Sequence, residues 1–305
     1  MLRRNKNFDN GQSRAYLTHI QMFCTAASTP PETLSFVLPS GTIRAQRFGD
    51  GGAEAVTICV HGLSANSCSF GRLGEMLGSR GRGVVAMDLR GRGHSDVTPP
   101  GSYGWLNHAK DVIAVADALG ARTFDYVGHS MGAYIGMALA TLAAARVRRM
   151  VLIDAVGLPE PLSLVAIGGA VRRLGAVHAS ADAYVEAVRR LGTIEPWSAH
   201  WERHYRYEIV ETPNGVRSRT DSTAVMEDMA YASSQSPKAL WPSLTMDSLL
   251  VRAARPLGGG FVVSARDRDA FVATAKRATA VDVDANHYGV VMHEDAGAQI
   301  ARFLS

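Results

Sequence analysis

Phe124-Asp125-Tyr126-Val127-Gly128-His129-Ser130-Met131-Gly132-Ala133 decides how this chain is read. A short apolar run ends in Gly-x-Ser-x-Gly, and a segment rich in Ala, Met and Leu follows at once. That order predicts strand, tight turn and helix, the setting in which such a pentapeptide presents a serine nucleophile. Ser130 must then hold a strained backbone conformation with its hydroxyl directed out of a sheet. Gly128 and Gly132 fit because a Cβ at either position would collide with the neighbouring strand or helix. Ser130 would also stand at a helix N-terminus, where free N–H groups and the helix dipole favour developing negative charge.

Working outward, residues 55–60, 84–87, 123–127 and 150–153 are short, nearly continuous apolar runs, as expected of strands buried on both faces. Between them lie helical patterns near 69–80, 105–119 and 131–146. Strands alternating with helices predict βαβ units and a parallel sheet. Ahead of them, residues 34–37 and 43–48 flank Pro39-Ser40-Gly41 and predict an antiparallel hairpin. Residues 1–32 form an N-terminal extension ending in Pro30-Pro31, expected to be loosely docked or poorly ordered. After Asp154 the alternation stops. Residues 157–250 carry helical patterns near 182–191, 198–208 and 223–236 and no convincing buried strand, which predicts a helical lid. Alternation is expected to resume with a seventh strand at 260–264, a helix near 270–278, a strand at 280–283 and a last helix near 294–304.

A chain of 305 residues can bury a sizeable core as one large domain or two small ones. The net charge of +4 is spread without a long Lys/Arg run, so nucleic acid is not expected as a partner. Cys24, Cys59 and Cys68 form no C-x-x-C pair and predict reduced thiols in a cytoplasmic protein. No apolar run is long enough to span a bilayer, and the basic N-terminus lacks the apolar stretch of a secretory signal.

Four segments in order carry a resemblance: His61-Gly62-Leu63-Ser64 after the third strand, Asp88-Leu89-Arg90-Gly91-Arg92-Gly93-His94-Ser95 after the fourth, Gly128-His129-Ser130-Met131-Gly132, and the late Asn286-His287-Tyr288-Gly289. Together they resemble the α/β-hydrolase fold superfamily, over the chain from about residue 33 to the end. The resemblance implies an α/β protein with a mostly parallel eight-stranded sheet flanked by helices. Residues 33–156 and 251–305 would form the core and 157–250 a helical cap inserted after the sixth strand. It further implies a serine hydrolase acting on a small-molecule substrate, most simply a carboxylesterase on a small or medium ester, with no cofactor. C–C bond hydrolases, lactonases and thioesterases share the same machinery, and some members of the family are ligand receptors. A serine at the turn argues against haloalkane dehalogenases and soluble epoxide hydrolases, which place an aspartate there.

A serine hydroxyl needs a general base, and His287, in a short loop before the final helix, is the best of ten histidines. The base needs an acid to fix its tautomer. Asp267 is preferred, three residues beyond Ser264 where the seventh strand should end and where the family usually writes G-x-x-D. Asp154, after the sixth strand, and Asp269 are the alternatives. Leu63 N–H and Met131 N–H resemble the family's oxyanion donors. His61 is expected to brace its loop, and Arg90 and His94 their turn. His61, Ser64, His129, Trp197, Trp201 and Tyr288 are candidate substrate contacts. His200 and His204 stand four apart, but H-W-E-R-H misplaces the glutamate for a zincin, so no metal is expected. With Trp197, Trp201, Arg203, Tyr205 and Arg206 they are expected to form a lid face.

Overall fold

The computed structural model describes residues 30–52 and 55–305. Most of the expected N-terminal extension, residues 1–29, lies outside the described residues. The first half alternates as the apolar runs require. Strands β1 (Glu32–Leu38) and β2 (Gly41–Phe48) form the hairpin. Then come β3 (Val56–Val60), α1 (Gly71–Gly78), β4 (Gly83–Met87), α2 (Trp105–Ala118), β5 (Phe124–His129), α3 (Met131–Ala143) and β6 (Val147–Ile153).

A helical stretch interrupts the rhythm: α4 (Pro161–Arg172), α5 (Ala181–Arg189), α6 (Ala199–Tyr207), a small hairpin of β7 (Ile209–Thr212) and β8 (Gly215–Ser218), and α7 (Ser222–Ser233). Ser180 and Asp221 cap α5 and α7 by accepting from Ala183 N and Ala224 N, which fixes where those helices begin. The chain closes with β9 (Asp247–Ala253), α8 (Ala265–Thr274), β10 (Ala278–Val283) and α9 (Glu294–Phe303).

Eight strands make one sheet in the order β1-β2-β4-β3-β5-β6-β9-β10. β2 is antiparallel to both its neighbours and every other pairing is parallel. Alternate residues feed two cores, one on each face. Ile58, Tyr126, Leu152 and Leu250 pack with α2, α3 and Phe271 of α8, whereas Cys59, Val127, Val151 and Val251 pack with Leu73 and Leu77 of α1 and Ile300 of α9. Cys59 and Cys68 are free and buried. Among the described residues no helix is long and apolar enough to cross a membrane.

Two expectations are corrected. The next sheet strand after β6 is β9 at Asp247–Ala253, lying parallel between β6 and β10, so the helical interruption ends before residue 247 rather than at 250. Residues 260–264 are not a strand. Leu257 and Gly260 close on each other in a turn, and Phe261 exchanges its backbone bonds with Glu160 instead of a sheet neighbour. Ser264 is the N-cap of α8, accepting from Asp267 N at 3.1 Å.

Candidate active site

The turn between β5 and α3 puts Ser130 at φ 56° and ψ −120°, a backbone conformation that L-residues rarely adopt. The neighbouring glycines make it fit. A Cβ on Gly128 would strike the Gly132 carbonyl, and one on Gly132 would strike the Val60 carbonyl of the adjacent strand. Ser130 N–H donates to Ile153 O at 2.9 Å, which ties the turn to the end of β6.

His287 Nε2 lies 3.0 Å from Ser130 Oγ, and His287 Nδ1 lies 2.9 Å from Asp154 Oδ2. Both His287 and Asp154 are buried. Asp154 directly follows β6 at φ 49° and is fixed on both sides: its N–H donates to Val251 O at 2.8 Å, and its Oδ1 accepts from Ala253 N at 3.0 Å. That leaves Oδ2 for the imidazole, so the ring carries its proton on Nδ1 and offers a lone pair at Nε2 to the Ser130 hydroxyl.

The preference for Asp267 is corrected by this geometry. Asp267 sits in the first turn of α8, where its Oδ1 lies 2.6 Å from Lys238 Nζ. Asp269 pairs with Arg268 on the exposed side of the same helix. Both misplacements follow from the strand boundary. With β9 ending at Ala253, the 264–267 stretch belongs to a helix start and not to a strand end.

The loop after β3 runs against the serine; a Cβ on Gly62 would lie 3.1 Å from Ser130 Cβ. Leu63 N–H and Met131 N–H have no protein acceptor among the described residues, the second because it opens α3. His61 holds this loop from behind. Its Nε2 accepts from Leu89 N at 3.0 Å, its Nδ1 donates to Gly62 O at 2.8 Å, and burial pulls its pKa down to about 3, so it stays neutral. Arg92, fully buried, donates to Leu63 O at 3.0 Å and pairs with Asp228 of α7 at 2.6 Å; Asp228 also faces His108 at 3.0 Å. Arg90 is held by Asp111 of α2, and Asp88 accepts from Ser67 N, His94 N and the Tyr207 hydroxyl.

Ser130 and His287 line a cavity of about 110 Å³ to which α4, α5 and α6 also contribute side chains. Of the candidate contacts, Ser64, His129, Trp201 and Tyr288 line it. His61 and Trp197 do not: His61 is buried behind the loop, and Trp197 stacks on Tyr205 with ring centroids 5.8 Å apart. His129 reaches back to the base, its Nε2 donating to His287 O at 2.9 Å. Burial holds its pKa well below the ordinary histidine value, so it is neutral.

The aromatic and basic stretch of α6 splits between two faces. Trp201, His204 and Tyr205 face the cavity. His200 and Arg203 pair with Glu75 of α1, and Arg206 pairs with Asp182 and Glu202. His200 and His204 therefore serve different partners, His204 Nδ1 lying 3.4 Å from Ser69 Oγ. Sequence reasoning missed Tyr184 and Glu208, which line the cavity, and Asn66, which hydrogen-bonds Glu208. Glu208 closes the same helix and stands three and four positions beyond Tyr205 and His204, spacing that puts it on their face.

Comparison with known proteins agrees with this architecture. The profile of the alpha/beta hydrolase fold family matches residues 56–203. A 2-hydroxymuconate semialdehyde hydrolase of Pseudomonas putida is 40% identical over 93 residues, 30% of this chain and 32% of that protein. An N-formylmaleamate deformylase of Pseudomonas putida is 36% identical over 112 residues, 37% of this chain and 41% of that protein. The chain thus spans well under half the length of these two curated relatives. A crystal structure of E-2-(acetamidomethylene)succinate hydrolase superposes with a TM-score of 0.79 at 22% identity, covering 90% of this chain and 99% of that one. Sheet order, the Ser130 turn and the matched profile agree with one another, and the chain has the α/β-hydrolase fold.

Proposed function

We propose that the protein is a serine hydrolase that cleaves a small or medium carboxylic ester through an acyl-enzyme, with Ser130 as nucleophile, His287 as base and Asp154 as the acid that orients it. The single observation that carries this reading is the continuous chain Ser130 Oγ–His287 Nε2, 3.0 Å, and His287 Nδ1–Asp154 Oδ2, 2.9 Å. As Ser130 Oγ attacks the ester carbonyl carbon, its proton passes to His287 Nε2. Negative charge then builds on the former carbonyl oxygen, which Leu63 N–H and Met131 N–H receive. The imidazolium returns the proton to the departing alkoxide, giving an alcohol and the acyl-Ser130 ester. Water repeats the cycle, losing its proton to His287 and releasing the acid with Ser130 restored. The Asp154 carboxylate offsets the imidazolium charge.

The segment from residue 157 to 246 acts in this reading as a cap that selects what enters. Support comes from the α4, α5 and α6 side chains that line the same cavity as Ser130. Likeness to a semialdehyde hydrolase and a deformylase favours a second reading, in which the same groups cleave a C–C or amide bond. The deciding experiment is steady-state kinetics on a panel of esters, thioesters, lactones, N-formyl amides and vinylogous diketones, with Ser130→Ala as control. Ester turnover that Ser130→Ala lowers by several orders of magnitude supports the first reading; turnover confined to the amides or diketones moves the protein to the second.

A further inference from the structure

Glu208 is a buried carboxyl that the proposed chemistry does not use. It lies one residue beyond α6 and faces the cavity that holds Ser130. Its oxygens are supported from two elements: Oε1 accepts from the Tyr184 hydroxyl of α5, and Oε2 accepts from Asn66 Nδ2 at 3.3 Å. Asn66 is itself anchored, its Nδ2 also reaching His204 O at 3.1 Å and its Oδ1 accepting from Cys68 N at 3.0 Å. Each carboxylate oxygen can accept two hydrogen bonds, so one protein donor apiece leaves acceptor capacity on both. A buried carboxyl with bonding capacity left over is costly, and such groups are retained where something completes their bonding.

A second polar group belongs to another residue that lines the cavity. Tyr288 Oη is buried without a hydrogen-bond partner, although its residue lines the cavity beside His287. His204, on the helix face of Glu208, is held neutral by burial with its pKa near 3, so it supplies no cation to pair with the carboxyl. The cation that does line the cavity is Arg173, an exposed residue that donates to Gly169 O at 3.3 Å.

We infer that Glu208 and Tyr288 form a polar subsite that selects substrates carrying a hydroxyl group away from the scissile bond, the hydroxyl donating to Glu208 and accepting from Tyr288. A hydroxyl is the group that satisfies an acceptor and a donor at once. A methyl in its place leaves both protein groups unpaired, and a carboxylate meets a like charge. This inference rests on the hydrolase reading for its assay, but the recognition itself is measurable without turnover.

The test uses p-nitrophenyl esters of linear acids in a graded series of chain lengths, each ending in methyl, hydroxymethyl or carboxylate. Binding to Ser130→Ala is measured by calorimetry, and kcat/KM is measured in the wild type. At the best-fitting length the hydroxyl ester should bind and react about tenfold better than the methyl ester, with the carboxylate poorest. Adding Glu208→Gln or Tyr288→Phe should bring the hydroxyl-to-methyl ratio to within about threefold. Two separate variants guard against a folding defect in either. Equal binding of hydroxyl and methyl esters at every length, preference for the carboxylate, or a ratio untouched by both substitutions would overturn the inference. Loss of turnover with the binding ratio intact would instead count against the hydrolase reading alone.

Discussion

His287 Nδ1 lies 2.9 Å from Asp154 Oδ2, joining the last loop of the chain to the end of β6 across 133 positions of sequence. The carboxylate is held for that purpose by the neighbouring strand, since Asp154 Oδ1 accepts from Ala253 N at 3.0 Å. Asp154→Asn keeps the shape but offers the imidazole the wrong tautomer and no compensating charge. Turnover should fall about 10⁴-fold, while Asp267→Asn, removing only a contact to Lys238, should stay within a few-fold of wild type. Steady-state kinetics of the two variants on one ester decides it, and collapse in Asp267→Asn with normal Asp154→Asn would reverse the assignment.

Gly62 is the close-approach position of the loop that offers Leu63 N–H. Its added Cβ would lie 3.1 Å from Ser130 Cβ, so Gly62→Ala requires the loop or the serine to give by a few tenths of an ångström. Losing alignment of one oxyanion donor should lower kcat by about 10²-fold with little change in KM or thermal midpoint. A kcat close to wild type would remove Leu63 from the chemistry.

Arg92 is a buried cation shared by the Leu63 carbonyl and Asp228 of α7. Arg92→Met strands the Asp228 carboxylate with only His108 and Gly104 N as partners. Breaking such a pair should cost about 3–5 kcal/mol in urea unfolding. A loss below about 1 kcal/mol would show that the remaining partners satisfy Asp228.

Much of the core was legible because β3, β4, β5 and β6 are buried on both faces and spell apolar runs. The Ser130 turn was legible because steric collisions leave glycine alone at 128 and 132. β9 was not, because its apolar centre is only Leu249-Leu250-Val251 and the next residue is an arginine. Arg252 is nonetheless buried, its Nε donating to Val263 O at 2.8 Å and its Nη1 reaching Asp282 at 3.0 Å. A buried arginine bonded to a backbone carbonyl and a carboxylate looks like a surface residue in sequence. The 260–264 run misled in the opposite sense: Val262 and Val263 are buried, but in a loop bonded to Glu160. Ser264-Ala265-Arg266-Asp267 carries a helix-start signature, Ser three residues before an acid, and reading it so would have removed Asp267 from the strand end. Helical spacing could have placed Glu208 beside His204 and Tyr205, but its meeting with Asn66 was out of reach because it depends on how α6 sits over the core.

Glu208 also marks the pH response. Burial raises its pKa from 4.5 to about 7, against the lowering effect of Tyr184, Asn66 and Arg173. Between those values the folded state holds a proton that the unfolded chain has released. The contribution to stability is therefore complete below about pH 4.5 and is lost as pH rises through about 7. Buried neutral His61 and His204 act oppositely, removing stability as pH falls below about 6.5, and they are common to wild type and variant. The difference in thermal midpoint between wild type and Glu208→Gln should thus shift against the wild type as pH rises from 5 to 8. A difference constant over that range would place the Glu208 carboxyl at an ordinary pKa.

The central claim is that Ser130 is the nucleophile, raised by its strained turn and deprotonated by His287. Its most direct measurement is reaction with a fluorophosphonate followed by peptide mass spectrometry. The account predicts a single phosphonyl adduct on the peptide containing Ser130, absent in Ser130→Ala and formed far more slowly in His287→Ala. An adduct on any other residue, or labelling that persists unchanged in Ser130→Ala, would contradict it.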